Sequence, residues 1–84
     1  MVNASIFQPA VKRSITIAGH PTSLRLESLF WEQLVRISRE MGLPISALVA
    51  QIDALRLAET PPPNLASAIR LWLLDRAVAA KNGV

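Results

Sequence analysis

The stretch from Thr22 to Ile52, TSLRLESLFWEQLVRISREMGLPISALVAQI, runs an alternating strand, a helix, a Gly-Leu-Pro break and a second helix together with almost no linker. Leu24 and Leu26 fall on one side of the strand, and Ser23, Arg25 and Glu27 on the other. Such a unit cannot bury its own apolar surface, because one strand has no sheet to complete. A partner strand has to come from elsewhere, and a second copy of the chain is the obvious source.

Size sharpens that demand. A chain of 84 residues is a single domain that buries only about 60% of its unfolded surface, and it needs some further device to be stable. Disulfides are excluded because there is no cysteine, and one histidine, His20, cannot build a zinc site alone. Oligomerisation remains. The 51% hydrophobic content and mean hydropathy of +0.34 exceed what so small a chain hides, and the excess reads as interface.

Other classes drop out on chemical grounds. The longest apolar-rich run, Leu65 to Ala80, is broken by Arg70, Asp75 and Arg76, whereas a membrane span needs roughly 20 mostly apolar residues. The N-terminal MVNASIFQPAVKR lacks the apolar region of a secretory signal, so a cytoplasmic protein is expected. Catalysis is not expected: no nucleophile stands beside a base, no spacing suits a metal, and no glycine-rich loop could cradle phosphate. No cofactor is expected either.

Residues 1–11 lack any period and read as a flexible arm. From Lys12 to Ala18, Ile15 and Ile17 alternate with Ser14 and Thr16 as a strand, and Gly19, His20 and Pro21 then punctuate the chain. KRSITIAGHPTSLRLE therefore reads as two strands around a turn, with the alternative that Pro21 begins a separate strand.

The first helix starts near Ser28, a suitable N-cap. It carries Phe30, Leu34, Ile37 and Met41 on one face, widened by Trp31 and Val35. Gly42 should stop it in the left-handed conformation, and Pro44 should open the second helix at its first position. Ile45, Leu48, Val49 and Ile52 then recur at helical spacing.

Ala58 to Pro63, with three consecutive prolines, is a stiff linker, after which Asn64 or Ser67 can cap a third helix running to about Ala80. Leu65, Ile69, Trp72 and Leu73 lie on one side of it, and Leu71, Leu74 and Val78 on another. One side should pack on its own chain and the other across a dimer interface. The organisation is then an arm (1–11), a core (12–57), a linker (58–63), and a C-terminal packing helix with its tail (64–84).

Strand, helix, Gly-Leu break and helix, in that order, resemble the ribbon-helix-helix family of bacterial DNA-binding proteins. The resemblance rests on Leu24 and Leu26 before the first helix, on REMGLP at Arg39 to Pro44, and on Ser46 followed by an apolar helix. The longer pattern KRSITIAGH, TSLRLE, FWEQL and NLASAIR looks like a branch with an added N-terminal strand and a third, C-terminal helix. The fold class implied is mainly α with a short β ribbon.

The resemblance implies a homodimeric transcriptional regulator, such as a repressor, whose two strands pair into a ribbon that enters the major groove of double-stranded DNA. Ser23 and Arg25 would contact bases, Arg25 by two hydrogen bonds to guanine O6 and N7. Backbone N–H groups of Ile45 and Ser46, at the start of the second helix, would seat a phosphate. Lys12 and Arg13 would clamp phosphates beside the ribbon. Leu24, Leu26, Phe30, Trp31, Leu34, Leu48, Ile52 and Trp72 would form the core and dimer interface. The net charge of +3 agrees with an anionic partner, with Lys12, Arg13 and Arg25 gathered at the strands. The alternative is a dimerisation or adaptor module whose partner is a protein.

The extra strand complicates groove entry. If it pairs with the second strand in each chain, a dimer joined through the ribbon has four strands spanning about 14 Å of backbone, against a groove about 12 Å wide. Three arrangements stay open. The first strand folds away and carries Lys12 and Arg13 to the phosphates; the sheet serves another partner; or the first strand itself is central, with Arg13, Ser14 and Thr16 as readers.

Overall fold

Ile15 and Ile17 meet Leu24 and Leu26 on one face of an antiparallel hairpin formed within a single chain. The strands are β1 (Val11–Ile17) and β2 (His20–Leu26), paired from Val11 with Leu26 to Ile17 with His20. One partner that β2 requires is thus supplied by β1 of the same chain. The structure, a computed structural model, describes residues 4–82. Where the arm was expected, Ala4–Phe7 forms one turn of 3-10 helix, and residues 1–3 lie outside the described region.

A two-residue turn joins the strands. Ala18 has φ +50° and Gly19 φ +82°, the pair of positive values that a type I′ turn requires, and its twist matches that of the strands. Ala18 therefore belongs to the turn rather than to the strand. Alanine is a poor residue there, because its Cβ crowds the left-handed conformation by about 1–2 kcal/mol. Ala18→Asn, which completes the favoured Asn-Gly pair, should raise stability by about 0.5–1 kcal/mol and the melting temperature by several degrees. A lower melting temperature would contradict the turn.

After Leu26 the chain turns directly into α1 (Ser28–Glu40). Its N-cap is Glu27 rather than Ser28, which is the first helical residue. The buried face is Trp31, Leu34, Ile37 and Ser38, while Phe30 is only half-buried and Met41 is exposed. The face is rotated toward Trp31 because the indole Nε1 donates to the Val11 carbonyl at 3.0 Å, which draws that side chain beneath the start of β1. Buried Ser38 satisfies its hydroxyl on the Val35 carbonyl at 2.9 Å.

The end of α1 is a Schellman motif. Gly42 takes φ +67°, its N–H donates to the Arg39 carbonyl, and the Leu43 N–H reaches back to Ser38 at 2.9 Å. Pro44 follows as the N-cap of α2 (Ile45–Leu57), one position before the first helical residue where it was expected. Its carbonyl accepts from Ala47 and Leu48. Beyond the proline linker, Asn64 caps α3 (Leu65–Lys81) by accepting from the Ser67 N–H at 2.8 Å. Arg56 ties the linker down, holding Asp53 at 2.7 Å and donating to the Pro63 carbonyl at 3.2 Å.

The hairpin lies over the helices, with β1 against α2 and β2 against α3. Between them Leu26, Leu34, Leu48, Val49, Ile52 and Ile69 are fully buried, each contributing about 1.5–3 kcal/mol relative to exposure. One chain closes this core unaided, contrary to the expectation drawn from the Thr22–Ile52 stretch alone. What stays uncovered is a different surface. Leu71, Leu74 and Val78 on the outer side of α3 remain exposed, as do Leu55 and Leu57 at the end of α2.

Candidate nucleic-acid interface

Alternation along the hairpin sorts its side chains into two sets. Val11, Arg13, Ile15 and Ile17 share the helix-facing side with His20, Thr22, Leu24 and Leu26. Lys12, Ser14 and Thr16 of β1, with Pro21, Ser23 and Arg25 of β2, form the opposite face. All six are exposed. Ser23 and Arg25, the expected base readers, therefore do share one open surface.

The turn fixes which of these residues are closest. A two-residue loop closes on a hydrogen-bonded pair, Ile17 and His20, so the non-hydrogen-bonded pairs are Thr16 with Pro21, Ser14 with Ser23, and Lys12 with Arg25. In such pairs side chains stand nearest to each other. Lys12 and Arg25 are thus like charges set directly opposite, an arrangement that costs stability. The N–H that Pro21 lacks would have pointed away from β1, so the hairpin loses no bond to it.

No carboxylate relieves that opposition. Residues 11–26 contain Lys12, Arg13 and Arg25 and no acid, and the other six basic residues of the chain are matched by six acids. Several of those others are paired: Arg36 with Glu40 at 2.7 Å, Arg56 with Asp53 at 2.7 Å, and Arg70 with Glu27 at 2.9 Å. The whole net charge of +3 therefore sits on the hairpin.

Lys12 and Arg13, expected together as a clamp, are split by the alternation. Arg13 projects on the helix side, its guanidinium 5.0 Å from the centre of the Trp31 ring. It borders an open groove of about 640 Å³ along α1 that also includes Glu32, Arg36 and Arg39. Grouping Arg13 with Ser14 and Thr16 as one set of readers is accordingly a misreading of the parity. The residue that joins them is Lys12, as counting back in twos from buried Ile17 and Ile15 to Arg13 on their side makes plain.

The second expected site, the start of α2, is built from Pro44, Ile45 and Ser46. Pro44 is exposed and provides no side-chain cap, while Ile45 and Ser46 are both half-buried. Of the residues expected in the core and interface, Leu24, Leu26, Trp31, Leu34, Leu48 and Ile52 are buried within this chain, while Phe30 and Trp72 are half-buried.

Arg25 is not drawn off by its neighbour Glu27. That carboxylate accepts from Arg70 Nε at 3.0 Å and Nη2 at 2.9 Å, which ties the β2–α1 junction to α3. Its pKa lies below the ordinary 4.5, held down by the Glu27 backbone N–H and then by the Arg70 hydrogen bond. A carboxylate with a lowered folded pKa contributes stability that is complete above the ordinary value and fades as pH falls through the folded one. Glu27→Gln should therefore remove a small stabilisation at pH 7 and flatten the acid limb of the stability curve below the ordinary carboxylate range. A variant whose acid unfolding matched the parent would show the pair to be idle.

With this geometry the chain matches the family described as the ribbon-helix-helix domain over residues 10–77. The chain belongs to the ribbon-helix-helix family. Among solved structures it is similar to an uncharacterized protein from Bordetella pertussis Tohama I, with 27% identity and a TM-score of 0.79. That match covers 98% of this chain, and this chain spans 66% of the length of the other. The added strand and third helix thus belong to the shared architecture. No curated protein matches this chain. No helix among the described residues is long and apolar enough to cross a membrane, and no cluster of three or more metal-ligating side chains occurs among them.

Proposed function

We propose that this ribbon-helix-helix chain is a homodimeric, DNA-binding transcriptional regulator whose hairpin face enters the major groove. The observation that carries the proposal is the opposed pair Lys12 and Arg25, without a counter-ion, on a hairpin that holds the chain's net positive charge. A polyanion converts that repulsion into attraction, releasing counterions as it binds. Ribbon-helix-helix domains are typically those of DNA-binding transcription regulators, which agrees with the charge.

In this reading Arg25 and Ser23 contact base edges. Phosphates are met by Lys12, by Arg13 at the edge of the hairpin, and by the N–H groups of Ile45 and Ser46 at the positive end of the α2 dipole. Dimerisation would cover Leu71, Leu74 and Val78, which stand 49–62% exposed on α3.

The test is a titration against random and genomic duplexes at about 50 and 200 mM salt, with sedimentation at low micromolar protein. Several phosphate contacts per dimer should weaken binding by at least about tenfold over that range. Affinity that does not respond to salt, or a protein that sediments as a monomer when bound to DNA, would count against the proposal.

A further inference from the structure

Within the proposed homodimeric regulator, on which this step rests, two surfaces of the chain stand open on one side. β2 pairs with β1 along one edge, and along the other it turns the backbone groups of Ser23 and Arg25 to solvent. Beneath the sheet α2 packs against β1, α3 against β2, and the two helices against each other. The side of α3 turned away from α2 therefore lies beneath the open edge of β2. While Ile69 and Leu73 fill the core, Leu71, Leu74 and Val78 stand on that other side, 62%, 60% and 49% exposed.

A hydrogen-bonding edge with an apolar stripe beneath it can be satisfied together by one two-fold axis. We infer that α3 of a second copy covers the stripe, so that strand pairing at β2 and an antiparallel pair of α3 helices form one continuous dimer interface. The dimensions agree. Neighbouring strands lie about 4.8 Å apart and packed helices about 8–10 Å, so with the axis midway β2 is about 2.4 Å from it and α3 about 4–5 Å. That offset carries α3 toward the β1 side, where α2 meets it. An axis perpendicular to the sheet reverses a helix packed along it. Leu74 then falls near Leu74 of the partner subunit, and Leu71 opposite Val78 of the partner subunit. Steps of three and four residues from Leu71 to Leu74 and Val78 are those of a helix-helix seam.

The same axis orders the DNA face. Ser23 and Arg25 of each copy lie on the central strands, and β1 lies about 7 Å from the axis, just beyond half the width of a groove of about 12 Å. Lys12 on β1 then stands at the phosphates. The third helix, outside the strand-helix-helix core, decides which chains share a ribbon, because a copy with a different stripe offers the strand without the seam.

The sequence has no cysteine, so single replacements report proximity without background. In the full chain under mild oxidation, Leu74→Cys should cross-link to itself, and Leu71→Cys should cross-link to Val78→Cys only when the two are mixed. Leu55→Cys on α2, as exposed as Leu74, should not cross-link. Leu74→Glu should melt like the parent, since the position is exposed, yet raise the dimer dissociation constant about tenfold or more. DNA binding is titrated alongside at two salt concentrations. If the parent dimerises and binds DNA, Leu74→Glu dimerises as well and no α3 cross-link forms, the inference fails and the regulator stands. Leu71→Cys and Val78→Cys each cross-linking to itself would overturn the antiparallel pairing. A dimer with the expected cross-links that binds no duplex supports the interface and removes the DNA reading, whereas a parent that stays monomeric overturns both.

Discussion

Trp31→Ala should lower the folding free energy by about 3–5 kcal/mol, enough to leave a domain of this size largely unfolded. The residue is 2% exposed, and it has three roles at once. Its ring fills the core from α1, its Nε1 donates to the Val11 carbonyl at 3.0 Å, and its outer face carries Arg13 at 5.0 Å. Removing it opens a cavity where the start of β1 rests on the first helix. Trp31→Phe isolates the polar part, since it keeps most of the ring and loses the hydrogen bond, and it should cost about 1–2 kcal/mol. Denaturant unfolding followed by far-UV circular dichroism, with Trp72 as the remaining fluorophore, measures both. A loss below about 1 kcal/mol for Trp31→Ala would mean that the hairpin does not dock on α1.

Why that position was only half legible in the sequence is instructive. Heptad-like spacing picks out Phe30, Leu34, Ile37 and Met41 as a face, and hydropathy alone ranks Phe30 above an indole. The deciding contact joins Trp31 to Val11, far along the chain, and no local period records it. The helix ends were legible for the opposite reason. Gly42 and Asn64 act through backbone groups within a turn of themselves, so residue type and position suffice.

The hairpin falls between these cases. Its strands were written in the alternation of Ile15 and Ile17 and of Leu24 and Leu26, but whether they pair with each other depends on the turn. There Ala18 adopts a conformation that its residue type disfavours, and the pairing of the strands holds it there. Once the strands pair within a chain, the core of that chain closes, and what a second copy has left to cover is the exposed apolar side of α3. Parity on the hairpin was legible throughout, since Arg13 stands at even spacing from Ile15 and Ile17. Residues adjacent in sequence invite grouping by charge, yet a strand sends Lys12 and Arg13 to opposite faces.

Arg25→Ala is where that parity has the largest consequence for the proposed function. Discrimination for guanine at one position of the preferred site should fall by about 1–3 kcal/mol, roughly fivefold to 150-fold, because the bidentate contact disappears. Arg25→Lys retains the charge without the planar fork, so it should keep most of the non-specific affinity and its salt slope while losing much of the base preference. Lys12→Ala should do the reverse if Lys12 meets phosphate, weakening all sequences alike and lowering the salt slope by about 1. Stability provides the internal control. Arg25 stands opposite Lys12 with no acid on the face, so removing either cation relieves a repulsion and should leave the melting temperature unchanged or slightly higher. Weaker binding in a protein that melts no lower cannot be charged to unfolding. Arg25→Ala with full sequence preference would remove Arg25 from the reading face and, with it, the reason to place the hairpin in the groove.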